Sequence, residues 1–161
     1  MNLISKLLKP EHVLVDLEVS SKKRVFEQVG LLFENGHHLA RSAVYDSLFA
    51  REKLGSTGLG HGIAISHGRL KHFRETLTAF VRLKHPIPFD APDGQPVSLI
   101  FVVLVPDHAT EQHLQILSEL AQMFSDKAMR EALATCPDAA SAHRLLTEWS
   151  PYAPPLRRAA I

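Results

Sequence analysis

The chain has 161 residues, 45% of them hydrophobic and 22% charged. That is enough for one domain with a hydrophobic core, and it excludes the polar, highly charged profile that keeps a chain unfolded. With Lys+Arg at 18 against Asp+Glu at 17, no basic field draws the protein to nucleic acid or an anionic membrane, so neither is an expected partner.

Residues 1–10 hold a short apolar stretch broken by Lys6 and closed by Lys9-Pro10, too interrupted for a signal-peptide core. No segment approaches the ~20 apolar residues that span a bilayer, so the expected location is cytoplasmic, without membrane insertion. Residues 11–16, with Val13, Leu14 and Val15, read as a short strand or extended lead-in. Ser20-Ser21 offers an N-cap for a helix over 22–34, where Val25, Val29 and Leu32 recur at helical spacing, and Asn35-Gly36 stops it. A second helix is predicted over 41–53, with Val44 and Leu48 on one side and Arg51 near its C-terminal end. Five of the eight glycines then fall between Gly55 and Gly68. Such a concentration marks backbone that turns tightly or lies close to a ligand.

Residues 76–83 alternate, with Leu77, Ala79, Val81 and Leu83 on one face, and predict a strand. Residues 97–105 are almost continuously apolar and predict a strand buried on both faces. Pro86, Pro88, Pro92, Asp93 and Gly94 form the loop between them. Helices follow from Glu111, with Thr110 as cap, over 126–134, and over 138–148, begun by Asp138 after Pro137. Residues 1–149 therefore make one domain, and 150–161, rich in proline and then basic, a flexible tail. Strands mixed with helices predict an α/β fold, a three-layer α/β/α sandwich with a central mixed sheet.

The glycine loop invites a nucleotide-binding reading, which the residues do not support. Gly55 and Gly60 have Walker A spacing, but His61-Gly62 stands where Lys and Ser/Thr belong. A dinucleotide fingerprint fails at Ile63. The ten histidines show no His-Glu-x-x-His pattern or carboxylate-rich cluster, so no metal and no cofactor are expected. His12, His37, His38, His72, His85, His108 and His143 read as surface or structural residues, while His61 inside the glycine loop is open to either role. The single Cys136 has no second thiol nearby and reads as inert. What remains is His67, flanked by Ser66 and Gly68. A neutral imidazole, with an unperturbed pKa of ~6.5, has a ring nitrogen free to attack phosphorus near pH 7.

Arg51-Glu52-Lys53-Leu54-Gly55-Ser56-Thr57-Gly58, followed by Gly62-Ile63-Ala64-Ile65 and His67-Gly68, closely resembles the active-site stretch of the fructose/mannitol/nitrogen-regulatory class of bacterial IIA phosphotransferase proteins, and most of all its nitrogen-regulatory branch. His108 to Leu117, with Glu111-Gln112-His113-Leu114, is similar to the family's helix start that carries an auxiliary histidine. The resemblance covers roughly residues 3–148. It implies that His67 receives a phosphoryl group through Nε2, that Arg51 supplies positive charge, and that His113 adds a donor at its helix start. Ser56, Thr57 and Ser66 are then the expected phosphate-binding hydroxyls. Ser66 stands where many members have proline, and His61 where the regulatory branch often has asparagine. The implied partners are an HPr-like phosphocarrier, and regulatory targets such as transporters or sensor kinases of nitrogen and potassium systems. Two alternatives stay open: a sugar-specific IIA component that passes phosphate to a IIB domain, and a binding module in which His67 is not phosphorylated.

Overall fold

The computed structural model describes residues 2–37, 39–108 and 110–151. In chain order the elements are α1 (Leu3–Leu7), a 3-10 turn (Pro10–His12), β1 (Val13–Leu17), α2 (Lys22–His37), α3 (Arg41–Glu52), β2 (Gly58–Gly60), β3 (Ile63–Leu70), β4 (Leu77–Ile87), β5 (Val97–Pro106), α4 (Thr110–Ser125), α5 (Lys127–Thr135) and α6 (Ala139–Glu148). The five strands form one sheet in the order β1-β4-β5-β3-β2. β1 runs parallel to β4 and β3 parallel to β5, whereas the β4–β5 and β2–β3 pairs are antiparallel. The sheet is therefore mixed, as expected.

β5 lies near the centre because both of its faces are apolar. Phe101, Val103 and Val105 pack with Phe80, Leu120, Leu133 and Leu146 under α1, α4, α5 and α6. Ile100, Val102 and Leu104 pack with Val81, Phe26, Phe33 and Leu48 under α2 and α3. Helices cover both faces, which gives the α/β/α sandwich that the sequence predicts.

Local chemistry accounts for most boundaries. Ser21 Oγ accepts the Arg24 N–H and starts α2, Asp126 caps α5 and Asp138 caps α6. α2 runs on to His37 instead of stopping at Asn35-Gly36, since a glycine in a last turn costs only about 1 kcal/mol. β4 continues past the predicted end at Leu83 to Ile87. β1 pairs only as far as Leu83, so Pro86 lies where no neighbouring strand on that side needs its missing N–H. The glycine-rich segment holds two strands, β2 and β3, that the sequence reading leaves as loop, and the N-terminal apolar stretch forms α1. Asn2 caps α1 through Ser5 N, and its amide donates to the carbonyls of Leu146 and Trp149 at the end of α6. His12 is buried edge-on against Phe33, and His143 Nε2 contacts the Leu8 carbonyl at 2.9 Å, so both are structural. Burial pushes the Cys136 thiol pKa up, with the nearby Arg82 guanidinium opposing. His38, the Thr110 side chain expected as a cap, and residues 152–161 of the expected tail lie outside the described residues.

Candidate functional site

His67 sits on β3 beyond the last residue that β2 pairs with. Alternation along the strand puts Ile63, Ile65 and His67 on the face covered by α4, and Ala64, Ser66 and Gly68 on the face covered by α3. Ile65 N–H donates to the Thr57 carbonyl at 3.1 Å, so the Ile65 carbonyl faces the same sheet edge. The half-buried His67 ring turns back onto that carbonyl, with Nδ1 3.1 Å from Ile65 O. A carbonyl only accepts, so the proton is on Nδ1 and Nε2 keeps its lone pair. Arg51 leads to the same tautomer independently: its Nε–H donates to His67 Nε2 at 3.1 Å, and its Nη1 to the Gly55 carbonyl at 2.9 Å.

Arg51 reaches the ring because α3 lies directly on β3. The Ser47 hydroxyl donates to the Arg69 carbonyl at 2.8 Å. A Cβ at Gly68 would clash with the Ser47 hydroxyl and come within 3.1 Å of the Ser47 carbonyl carbon and oxygen. Gly68→Ala is expected to cost about 1–3 kcal/mol through overpacking. A lower urea midpoint with an unchanged m value would register it; a wild-type midpoint would mean that α3 yields freely.

His113 comes from the second turn of α4, the helix that follows the C-terminal end of β5. Its ring stands edge-on to His67, with centroids 5.2 Å apart and planes at 81°. His113 is buried, and its Nδ1 has no hydrogen-bond partner among the described residues. An orphaned N–H is harder to accommodate than an orphaned lone pair, so this setting favours the tautomer with its proton on Nε2, where it can serve as a donor. Arg51, Leu54, His67, Arg69, Lys71 and His113 line an open cleft of about 440 Å³. Arg69 is tied across it to the Asp107 carbonyl at 2.7 Å.

Burial lowers the His67 pKa and the Arg51 charge lowers it further, against the opposing hydrogen bond to Ile65 and the charge of Glu52. Burial lowers that of His113 too, reinforced by His67 and Arg69. Both rings are thus neutral at pH 7. The unfolded chain takes up these protons near pH ~6.5, before the folded chain does. Their contribution to stability is therefore flat above that pH and falls as pH drops through the window down to the lowered folded pKa values. Urea midpoints at pH 7.5 and 5.5 should differ, and the gap should narrow in the His67→Gln/His113→Gln double variant; an unchanged gap would refute the assignment.

The three expected phosphate-binding hydroxyls are engaged elsewhere. Ser56 Oγ donates to the Phe89 carbonyl and accepts from Gly58 N. Thr57 and Ser66 are buried, and their hydroxyls lie 3.1 Å apart. Ser66 has the opposite facing from His67 along β3, so neither adjacency in sequence nor residue type brings its hydroxyl to the ring. His61 is exposed in the β2–β3 turn, with its N–H on Asp93 at 2.9 Å, and does not line the cleft. The sequence reading misses Glu52, a buried carboxylate beside Arg51, and the cleft residues Leu54, Arg69 and Lys71. Their one signal is proximity to the two ends of the motif. Among the described residues no group of three or more His, Cys, Asp or Glu is placed to hold a metal ion, and no helix is long and apolar enough to cross a membrane.

Comparison with known proteins places this chain in a family. The family described as "Phosphoenolpyruvate-dependent sugar phosphotransferase system, EIIA 2" matches residues 6–149. The nitrogen regulatory protein of Pseudomonas aeruginosa is 40% identical over 146 residues, covering 90% of this chain and 95% of its own. The crystal structure of nitrogen regulatory protein IIA-Ntr from Neisseria meningitidis aligns with a TM-score of 0.86 at 51% identity, over 91% of this chain and 100% of that one. The mannitol IIA of Escherichia coli, determined in complex with phosphorylated mannitol IIB, shares the fold at 20% identity, with a TM-score of 0.74 over 88% of this chain and 98% of that one. The chain therefore belongs to the EIIA 2 family of the phosphoenolpyruvate-dependent sugar phosphotransferase system, the family that its glycine-loop motif resembles.

Proposed function

We propose that the protein is a cytoplasmic phosphoryl carrier of the nitrogen-regulatory type, which accepts a phosphoryl group on Nε2 of His67 from a phosphohistidine of an HPr-like carrier. The observation that carries this reading is the pair of contacts on the His67 ring: Nδ1 lies 3.1 Å from the Ile65 carbonyl, which only accepts, and Nε2 lies 3.1 Å from the Arg51 guanidinium, which only donates. In the transfer, the Nε2 lone pair forms a new N–P bond as the donor's N–P bond breaks, and that electron pair returns to the donor imidazole. The proton on His67 Nδ1 stays in place. Charge on the equatorial oxygens meets Arg51 and the Nε2–H of His113, and catalysis rests on this alignment. An open cleft with exposed Leu54 beside it, and Leu114 next to His113, suits a protein donor that brings its own histidine to the ring.

Phosphorylation then puts a doubly charged phosphoryl group on the ring, a net gain of one negative charge while Nδ1 keeps its proton, in a cleft lined by Arg51, Arg69 and Lys71, which changes the surface that targets such as transporters or sensor kinases meet. Incubation with phosphoenolpyruvate, enzyme I and an HPr-type carrier tests the reading: intact mass should show an acid-labile phosphoryl adduct, and an unmodified wild type would reject it. Onward transfer to a sugar-specific IIB domain would instead assign the sugar-transport role.

A further inference from the structure

Glu52 follows Arg51 in α3, Ser66 precedes His67 in β3, and a run of buried hydrogen bonds joins these two neighbours. The Glu52 carboxylate accepts the Thr57 hydroxyl at 2.7 Å, the Thr57 N–H at 3.1 Å and the Lys22 ammonium at 2.8 Å. A carboxylate donates nothing, so the one hydroxyl proton of Thr57 is committed to Glu52. The 3.1 Å contact between the Thr57 and Ser66 hydroxyls must then be donated by Ser66. Lys22 anchors the far end: its Nζ also donates to the Phe89 carbonyl at 3.2 Å and lies 4.4 Å from the Phe89 ring centroid. Glu52, Thr57 and Ser66 are 8%, 6% and 1% exposed, and none of them lines the cleft.

With the Arg51–His67 hydrogen bond the connection closes on itself. It runs from Arg51 to Glu52 along the chain, through Thr57 to Ser66 by hydrogen bonds, on to His67 along the chain, and from Nε2 back to Arg51. A buried ion pair is weak evidence for stability, because apolar residues of similar volume often serve as well. This one sits where α3 ends and a glycine-rich turn begins, and so braces the turn whose Gly55 carbonyl holds the Arg51 guanidinium at 2.9 Å.

We propose that Glu52, held by Lys22 and relayed through Thr57 and Ser66, is a positioning residue that sets Arg51 against His67 for phosphoryl transfer. The proposal rests on the reading of His67 as the acceptor. Reaction geometry is unforgiving, since a displacement of roughly 1 Å can cost about a hundredfold in rate.

The test uses Thr57→Val, Thr57→Ser and Ser66→Ala with two measurements. One is the single-turnover rate of phosphoryl uptake from the phosphorylated carrier. The other is the 15N shift of His67 Nε2 in the unphosphorylated protein, which reports whether Arg51 donates to it. Thr57→Val should slow uptake by about tenfold or more and move Nε2 towards the shift of an unbonded ring nitrogen, while Thr57→Ser recovers most of both. Should Thr57→Val fail to fold, Ser66→Ala, which leaves the Lys22–Glu52 pair intact, decides by the same changes at smaller size. Wild-type rate and shift in the folded Thr57→Val or Ser66→Ala proteins would overturn the proposal, as would a Thr57→Ser protein as impaired as Thr57→Val. The shift needs no phosphoryl donor. A wild type that takes up no phosphoryl group, with Nε2 still displaced in Thr57→Val, would remove the acceptor reading while supporting the linkage between Glu52 and the ring.

Discussion

His67→Ala should bring phosphoryl uptake from the carrier down to background, a fall of more than about a thousandfold, because the substitution removes the proposed nucleophile itself. The neighbouring ring does not replace it. His113 is buried, and with no partner for Nδ1 among the described residues the favoured tautomer keeps the proton on Nε2, which leaves no free lone pair at the cleft. His143→Ala is the matched control. That ring contacts the Leu8 carbonyl at 2.9 Å and lies outside the cleft lining, so its loss should leave the adduct in place. Intact mass before and after acid treatment measures both. An acid-labile adduct that survives in His67→Ala would move the acceptor to another histidine.

Arg51→Gln should produce two effects of opposite sign, and their sizes decide the outcome. The guanidinium lowers the His67 pKa, so removing it raises the pKa and makes Nε2 a slightly better base. It also frees Nε2 from the 3.1 Å hydrogen bond that occupies its lone pair. Both changes favour attack by modest factors. Against them stands the loss of the cation in contact with the nitrogen proposed to react. Removing a single preorganised donor from a transition state of this kind typically costs roughly 10²–10³-fold. Uptake should therefore slow by about a hundredfold while the His67 titration moves to higher pH, a pairing that general misfolding would not give. Arg51→Lys should recover little, since a compact ammonium cannot serve both His67 and the Gly55 carbonyl as the planar fork does. Single-turnover kinetics and an NMR titration of the imidazole resolve the two effects; an unchanged rate would remove Arg51 from the chemistry.

The sequence makes legible those parts of the fold in which one segment declares itself. α2 and α3 follow from helical spacing, α2 and α6 also from the caps at Ser21 and Asp138, and β5 from its continuous apolar run. β3 escapes because Ile63, Ala64, Ile65 and Ser66 are all buried, which erases the alternation that marks a strand, and because glycine suggests a turn. Gly68 is there for the closeness of α3, a fact about another element. The site divides in the same way. His67, Arg51 and His113 can be named from the motif, and the structure brings them together. The partners of Ser56, Thr57 and Ser66 cannot, because a hydroxyl suited to phosphate is equally suited to a carbonyl or a carboxylate. Glu52 reads as one more charge in Arg51-Glu52-Lys53 until Lys22, 30 residues earlier in the chain, is found against it.

Beyond β2 the outer side of β3 carries no neighbouring strand among the described residues, yet two of its carbonyls are already engaged. The Ile65 carbonyl is covered by the His67 ring and the Arg69 carbonyl by the Ser47 hydroxyl, while α3 lies hard against Gly68 on one face of the strand. A border with carbonyls taken in this way is a poor template for a visiting β-hairpin or for a second copy laid edge to edge, the usual route to sticky aggregates. A partner that meets the imidazole through side chains can leave again without peeling a ladder of main-chain bonds, as suits the proposed carrier, which would meet one protein to be charged and another to be read.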